Sequence, residues 1–535
     1  MTTFENDITD IVSTKDTVDV CNIKEIKEIK EIKENKEVKD TEETKESNDK
    51  KNIRIAIIGN VDSGKSTLIG ILTGGSLDNG RGAARERVFV HKHEAINGRT
   101  SCISHHIMGF NKDNQPIHNK ASASSSIAAK NKGWKTVVDA SESIITFIDL
   151  AGHEKYLKTT ITGLTGCYPD YAFIIINSLA GITKMTKEHL GIATALKIPI
   201  CIVVTKLDLV PANVLKNTKK QISTILKCAQ VNKIPITIRE KKDIDTCLDD
   251  SSNKICPVFY ISSVNGMNID LLEDYLSKLK PCCKLEKYIE KSPEFRIDDV
   301  FNVIGVGTVI SGTVYSGTIN VNDIFVLGPC EDRSFKKVVV KSIHQKRISV
   351  DKISAGNTAA IAIKPVKKKD TMNKKTIRKG MVLVDPNINP IATANFKAEI
   401  IVFHHPTTIK NCYQSVIHCG NIRQSASIKI IDQNKEFLRT GDKSLVQFKF
   451  LKNVEYLHEN EIFIFREGNT KGIGCILSQN DKCDEKLDDK SDSKSDSKSD
   501  GKSDSKSDSK SDSKSDSKSD KKSKKLKDTT ESKKK

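Results

Sequence analysis

The chain has 535 residues, of which 37% are hydrophobic, 29% charged and only 5% aromatic, and its formal net charge is +18. That length exceeds a single small module, and the apolar content excludes a wholly disordered chain; the longest apolar runs, such as "YAFIII" and "IPICIVV", are far below membrane-spanning length. The charge is uneven: residues 1–50 hold 9 Lys against 15 Asp and Glu, residues 481–535 hold 18 Lys against 15, and the body between carries a net +21, which predicts a polyanionic partner, nucleic acid ahead of an anionic membrane surface.

The first 50 residues read as a disordered charged segment. Within "KEIKEIKEIKENKEVKD" the three-residue repeat walks Ile26, Ile29 and Ile32 around a helix axis, and the pairs from Lys24 to Glu28 and from Lys27 to Glu31 run in the weaker Lys-before-Glu order. At best it forms a transient helix. The polar, acidic start "MTTFENDITD" and the absence of C-x-x-C spacing among 14 cysteines predict a cytoplasmic protein with free thiols and no zinc site.

From residue 51 to 285, apolar strands alternate with helical stretches, the pattern of a doubly wound, mainly parallel α/β sheet. "IRIAII" runs into "GNVDSGKS", a G-x-x-x-x-G-K-S turn between a strand and a helix. There Gly59 and Gly64 let backbone N–H groups close around phosphates, Lys65 reaches the β and γ phosphates, and the Ser66 hydroxyl faces Mg²⁺. The whole run of Gly59, Asn60, Val61, Asp62, Ser63, Gly64, Lys65, Ser66 and Thr67 is therefore the expected phosphate cradle.

Beyond it, "GRGAARERVFVHKHE" concentrates Arg81, Arg85, Arg87 and Lys92, a basic face suited to RNA. The stretch from Gly109 to Ser143 is long and polar, and its composition predicts a flexible insertion around the sole tryptophan, Trp134. "ITFIDL" then ends at Asp149, where a Mg²⁺-organising carboxylate belongs; Gly152 offers its N–H to a γ-phosphate and His153 stands in position to orient water.

"VTKLD" closes another apolar strand. Asp208 can accept two hydrogen bonds from the N1 and exocyclic N2 of guanine, which adenine does not offer, while the Lys206 stem lies along the base; Ser262 and Ser263 end the strand "CPVFYIS" beside the guanine oxygen. Four such elements at strand C-terminal ends along one crevice define a GTP site. From about residue 294 short Val- and Ile-rich strands punctuated by glycine predict two small β-barrels, over 294–390 and 395–480. His404 and His405 in "FHHPTTI", with the distant His418, read as barrel structure rather than a metal site. Residues 481–535, with "KSDSKSDSKSDSKSD", form a solvated low-complexity tail.

"GNVDSGKS", "DLAGHEKY", "TKLD", "ISSVNG" and the barrel segment "GVGTVISGTVYSGTINVND" resemble the translational GTPases of the elongation factor Tu and elongation factor 1-alpha class. "LDNGRGAARERVFVHKHE", "GRTS", "TFIDLAGHEKYLKTT" and "FHHPTTI" are similar to the GTP-binding protein 1 and 2 branch of that class. The resemblance implies a monomeric GTPase that binds aminoacyl-tRNA or a related RNA in its GTP state and acts at the ribosome. It implies that Asp62 helps organise the activated site, that Thr100 grips Mg²⁺ and the γ-phosphate from the first switch, and that His153 positions water. Mg²⁺ would then rest on Ser66, Thr100 and Asp149. Two departures stand out: Ala151 occupies a position where the wider class carries proline, and Thr205 replaces an asparagine that binds guanine N7 and braces the phosphate loop, so weaker nucleotide affinity is expected. A GTP-gated scaffold in RNA surveillance or mRNA decay, without tRNA delivery, is the alternative that the resemblance leaves open.

Overall fold

A computed structural model describes residues 50–480 except 121–125, 251, 283, 368–371, 373 and 434. The N-terminal repeat and the Lys/Ser/Asp tail lie outside the described residues.

Strand β1 (Lys51–Gly59) is buried along nearly its whole length because both faces of it are covered. Ile53, Ile55 and Ile57 point into one apolar layer and Ala56 and Ile58 into the other, the alternation that a two-residue strand period imposes. Around β1 an eight-stranded sheet forms from β2 (Ser104–Phe110), β3 (Pro116–Ile117), β4 (Ser143–Asp149), β5 (Tyr171–Asn177), β6 (Ile200–Thr205), β7 (Ile234–Thr237) and β8 (Ile255–Tyr260), in the order β3-β2-β4-β1-β5-β6-β8-β7. Only the β2 side is antiparallel; the strands from β4 to β7 run parallel.

Helices α1 (Lys65–Gly74), α2 (Ala83–Glu86), α3 (Lys92–Asn97), α4 (Ile127–Ala140), α5 (Leu157–Gly166), α6 (Lys184–Ala195), α7 (Ala212–Lys227), α8 (Lys241–Leu248) and α9 (Ile269–Lys278) accompany the sheet. Leu68, Leu72, Leu272 and Leu276 from α1 and α9 fill one layer, and Leu157, Ile161, Leu190 and Ile222 from α5, α6 and α7 fill the other. The register pairs Ile57 with Asp149 and Gly59 with Ile175, so the ends of β4 and β5 flank the turn that leaves β1.

The expected flexible insertion is corrected by the structure. The described residues of 109–143 extend β2 into a short hairpin with β3 and form α4, whose Trp134 and Val137 pack on Ile107 and Ile144. Composition misled because the apolar residues of the stretch are few; Trp134, Val137 and Val138 nonetheless fall on one side of the helix, enough for a satellite core.

The following strands close into two barrels. In the first, β9 (Glu294–Val303), β10 (Gly307–Ser316), β12 (Ile324–Gly328), β13 (Lys336–Gln345), β16 (Thr358–Pro365) and β17 (Val382–Val384) join in the ring β12-β17-β9-β10-β16-β13-β12; β14 (Ile348–Val350) is appended and β11 (Thr318–Asn320) pairs with β15 (Lys352–Ser354). In the second, β18 (Asn395–His404), β19 (Gln414–Cys419), β20 (Ile422–Ile430), β21 (Lys443–Phe450), β22 (Ile462–Glu467) and β23 (Thr470–Asn480) close as β18-β21-β20-β19-β22-β23. Closure leaves neither ring a free edge strand, and each barrel holds its own apolar interior, with Phe396, Phe448 and Phe463 stacked edge and face in the second. His405 there hydrogen-bonds Thr470, and His418 lies fully buried in the barrel wall. No described helix is long and apolar enough to cross a membrane.

Candidate nucleotide site

The cradle is set by backbone geometry. Gly59 (φ 155°) passes so close to β5 that a Cβ would sit 2.4 Å from the Ile175 carbonyl oxygen, and Gly64 (φ 87°) caps α1 in the left-handed region that glycine tolerates. Asp62, also left-handed at φ 56°, turns the loop between them. The Ser63 hydroxyl and the Lys65 ammonium both donate to the Asn60 carbonyl, at 2.8 and 2.7 Å. These hydrogen bonds brace the loop from within, and the α1 N-terminus opens onto its hollow.

Opposite lies the end of β4. Asp149 is fully buried; its Oδ2 accepts from Ser66 at 2.8 Å and Thr100 at 3.1 Å, and the two hydroxyls are 2.9 Å apart. Its other oxygen, Oδ1, is buried with no hydrogen-bond partner. Burial raises the Asp149 carboxyl to about 6 despite Lys65 and the two hydroxyls, and burial lowers Lys65 to about 8 against the pull of Asp149 and Asp62. A buried carboxylate thus shares the cleft with a buried ammonium, each partly offsetting the other's desolvation. Three hard oxygen donors converging on one spot, one of them with an orphaned lone pair, suit a small divalent cation such as Mg²⁺.

Gly152 closes the mouth of the cradle. A Cβ there would meet Lys65 Nζ at 2.4 Å and the Gly59 carbonyl at 2.6 Å, so only glycine fits this close to the loop. His153 follows on the cleft wall with Val61, Asp62, Thr67 and Thr100; its Nδ1 accepts from the Lys155 amide at 3.1 Å, which leaves Nε2 free to turn toward the cleft.

At the far end of the crevice, Lys206 adopts φ 61° and starts a short turn that presents Asp208 to solvent. The buried Ser262 hydroxyl donates to Asp208 Oδ1 at 2.6 Å and fixes the carboxylate, while the Ser263 carbonyl accepts from Asp78 N at 3.0 Å. Thr205 does what its sequence context gave no reason to expect: its buried hydroxyl donates to the Ser63 carbonyl at 2.7 Å, so the brace onto the phosphate loop survives the loss of an amide there. The structure brings the predicted residues together in two clusters at the strand C-terminal ends: Val61, Asp62, Gly64 to Thr67, Thr100, Gly152 and His153 line the cleft at the loop after β1, and Lys206, Asp208, Ser262 and Ser263 lie at the ends of β6 and β8.

Sequence reasoning missed the carboxylates that hold the first switch. Glu94 is 1% exposed, and its Oε1 accepts from the Ser101 amide (2.7 Å), the Ser101 hydroxyl (2.8 Å) and the Cys102 amide, while Oε2 accepts from Val90 and His91. Burial pushes the Glu94 carboxyl up, but these hydrogen bonds outweigh it and hold it at about 2. Asp78 likewise gathers the amides of Gly80, Gly82 and Ala84. The signals were local: an acid three residues after His91 at a helix start, and Asp before a Gly-rich turn.

The GTP binding domain of elongation factor Tu, as a family model, matches residues 50–281, and the model of elongation factor Tu domain 2 matches residues 307–384. The chain belongs to the elongation factor Tu and elongation factor 1-alpha family of GTPases. Within it, the chain is 48% identical over 430 residues to GTP-binding protein 1 of Xenopus laevis, which covers 80% of this chain and 64% of that protein, and 41% identical over 428 residues to human GTP-binding protein 2, covering 79% and 68%. The chain thus spans about two thirds of these relatives. The translation elongation factor SelB from Methanococcus maripaludis, solved with a GTP analogue, shares the fold at TM-score 0.56 and 18% identity over 81% of this chain and 80% of that one.

Proposed function

We propose that this protein binds GTP with Mg²⁺ in the crevice, hydrolyses it, and uses the difference between its GTP and GDP states to hold and release an RNA ligand, aminoacyl-tRNA foremost, at the ribosome. The observation that carries the nucleotide reading is the triangle of the Ser66 and Thr100 hydroxyls with the buried Asp149 carboxylate, beside the buried Lys65 ammonium, with one Asp149 oxygen left without a hydrogen-bond partner. The RNA reading is supported by family membership and by the net +21 of the body.

In this reading the backbone amides of the loop and the Lys65 ammonium hold the β- and γ-phosphates, and Gly152 N–H binds a γ-phosphate oxygen. Ser66, Thr100 and Asp149 hold the Mg²⁺, which when bound neutralises charge developing on the phosphate oxygens. Thr100 ties the first switch to the cradle through Ser66 and Asp149, and loss of the γ-phosphate removes the partner that Thr100 and Gly152 share. His153 orients the attacking water and Asp62 helps hold the site in its active arrangement. Asp208 reads the guanine edge, with Lys206 along the base and Ser262 and Ser263 at its oxygen.

Filter binding of charged and uncharged tRNA, in GTP and GDP, tests the RNA half. Preference for charged tRNA with GTP is expected; equal, salt-controlled binding in all four combinations contradicts delivery and favours a GTP-gated scaffold. For the catalytic half, His153→Ala is expected to keep GTP affinity and lose ribosome-stimulated hydrolysis, and unchanged stimulated turnover contradicts the role of His153.

A further inference from the structure

Of Arg81, Arg85 and Arg87, one lines the phosphate cleft. Arg81 is exposed, and Arg87 spends its Nη1 on the Ser76 hydroxyl at 2.6 Å. Arg85, half-buried, lines the phosphate cleft with Lys65, Ser66, Gly152 and His153.

Its position is built. α2 is pressed onto α1 so tightly that a Cβ on Gly70 would fall 2.1 Å from the Ala84 carbonyl oxygen, and Ala84 and Val88 are buried in the main apolar layer. Asp78 ties down the N-terminal amides of the same turn. Two glycines in left-handed backbone then clear the guanidinium: a Cβ on Gly82 (φ 92°) would lie 2.5 Å from Arg85 Nε, and one on Gly98 (φ 63°) 3.4 Å from Nη2. Among the described residues Arg85 has no carboxylate partner and its guanidinium donates to no acceptor. A half-buried cation on a pinned segment, aimed into an anion cradle and left without an anion, calls for one. Arg99 also lines the cleft, but it is exposed and sits on the first switch itself.

We propose that Arg85 is an arginine supplied in cis to the terminal phosphates of the bound nucleotide, where it offsets the charge that grows during hydrolysis. In that step the water oxygen bonds to the γ-phosphorus as the bond to the β–γ bridging oxygen breaks. The bonding pair stays on that oxygen, now terminal on GDP, and the water proton passes to the released phosphate. Arg85 keeps its proton throughout and acts by position and charge. The inference rests on the GTPase reading above. GTPases lacking such an arginine turn over alone at about 10⁻⁴ s⁻¹ and those with one in cis at about 10⁻² s⁻¹.

The test is single-turnover hydrolysis of radiolabelled GTP by the full chain, without ribosomes, for wild type, Arg85→Ala, Arg85→Lys and the control Lys216→Ala on the exposed side of α7, with fluorescent GDP titrated in parallel. Arg85→Ala is expected to lower the hydrolysis rate at least about 20-fold with GDP affinity changed less than about 3-fold, and millimolar guanidinium to restore part of it. Arg85→Lys, which keeps the charge and the fold but not the fork, is expected to fall at least about 5-fold and answers the question alone if the alanine variant does not fold. Lys216→Ala should match wild type. Hydrolysis by Arg85→Ala or Arg85→Lys within twofold of wild type overturns the inference, as does an equal loss of GTP and GDP affinity at unchanged rate. A wild type that binds GTP and never hydrolyses it brings down the GTPase reading as well, a result distinct from an active wild type with indifferent variants.

Discussion

Thr205 shows how much one hydroxyl decides. It takes over the brace between β6 and the phosphate loop by donating to Ser63 and, at 3.3 Å, to Ile176. Replacing it with the isosteric valine leaves the Ser63 carbonyl without its donor, at a cost of about 1–2 kcal/mol. Isothermal titration of Thr205→Val should show GTP and GDP weakened together by about 5- to 30-fold; a change in one nucleotide alone contradicts a loop-bracing role. The residues with fixed spacing, such as Gly59, Lys65, Ser66, Asp149 and Asp208, were legible in the sequence because each sits at a strand end with a chemical duty. Glu94, Asp78 and Arg85 were not, because what they do depends on how residues 76–102 fold over the cradle, and their apolar partners Ala84 and Val88 are too few to declare it.

At the scale of elements, α4 is where composition and structure part. The helix is capped by Ser126, whose side chain accepts from Ala129 N, and is held by Trp134 and Val137 against β2 and β4. Arg347, from the turn between β13 and β14 of the first barrel, lies 4.7 Å over the Trp134 ring, so the insertion also joins barrel to sheet. Trp134→Ala is expected to lower stability by about 3 kcal/mol, less than burial in a main core costs because the cluster is small. Urea unfolding followed by circular dichroism checks this, and an unchanged midpoint contradicts the docked helix. The alternation of strand and helix was readable from buried strands such as "ITFIDL" and "IPICIVVT"; the antiparallel β2 and its hairpin were not, since "SHHIMGF" carries two histidines where an apolar alternation would announce a strand.

Across the whole molecule, polar junctions tie the sheet to the barrels, among them three built on the buried Arg296, Thr165 and Glu188. Arg296 joins Glu294, Tyr168 and Glu461; the Thr165 hydroxyl donates to the Gly420 carbonyl at 2.8 Å; and Glu188 on α6 accepts from Arg466, at 2.9 Å, and from Lys471 on the second barrel. Glu188 is nearly buried. Burial pushes its carboxyl up, but Lys471 and Arg466 outweigh that and hold it below the ordinary carboxylate range. A depressed folded value means that this stabilisation is full above about pH 4.3 and fades as pH falls below it. Glu188→Gln leaves two cations facing each other and should cost about 3 kcal/mol, seen as a lower melting temperature at pH 7 and a smaller difference from wild type near pH 3. An equal difference at both pH values contradicts an ionic junction. Removing the exposed Lys184–Glu154 pair should change nothing measurable.

The account as a whole depends on guanine being read by Asp208 while Lys65 and the Ser66–Thr100–Asp149 triangle take the triphosphate. Equilibrium competition of GTP and ATP against a fluorescent guanine nucleotide, in Mg²⁺, for wild type and Asp208→Asn, tests this most directly. The prediction is that GTP displaces the probe at least about 100-fold better than ATP and that Asp208→Asn erases most of that margin, since the amide cannot accept both guanine donors. Equal displacement by ATP and GTP from the wild-type protein contradicts it.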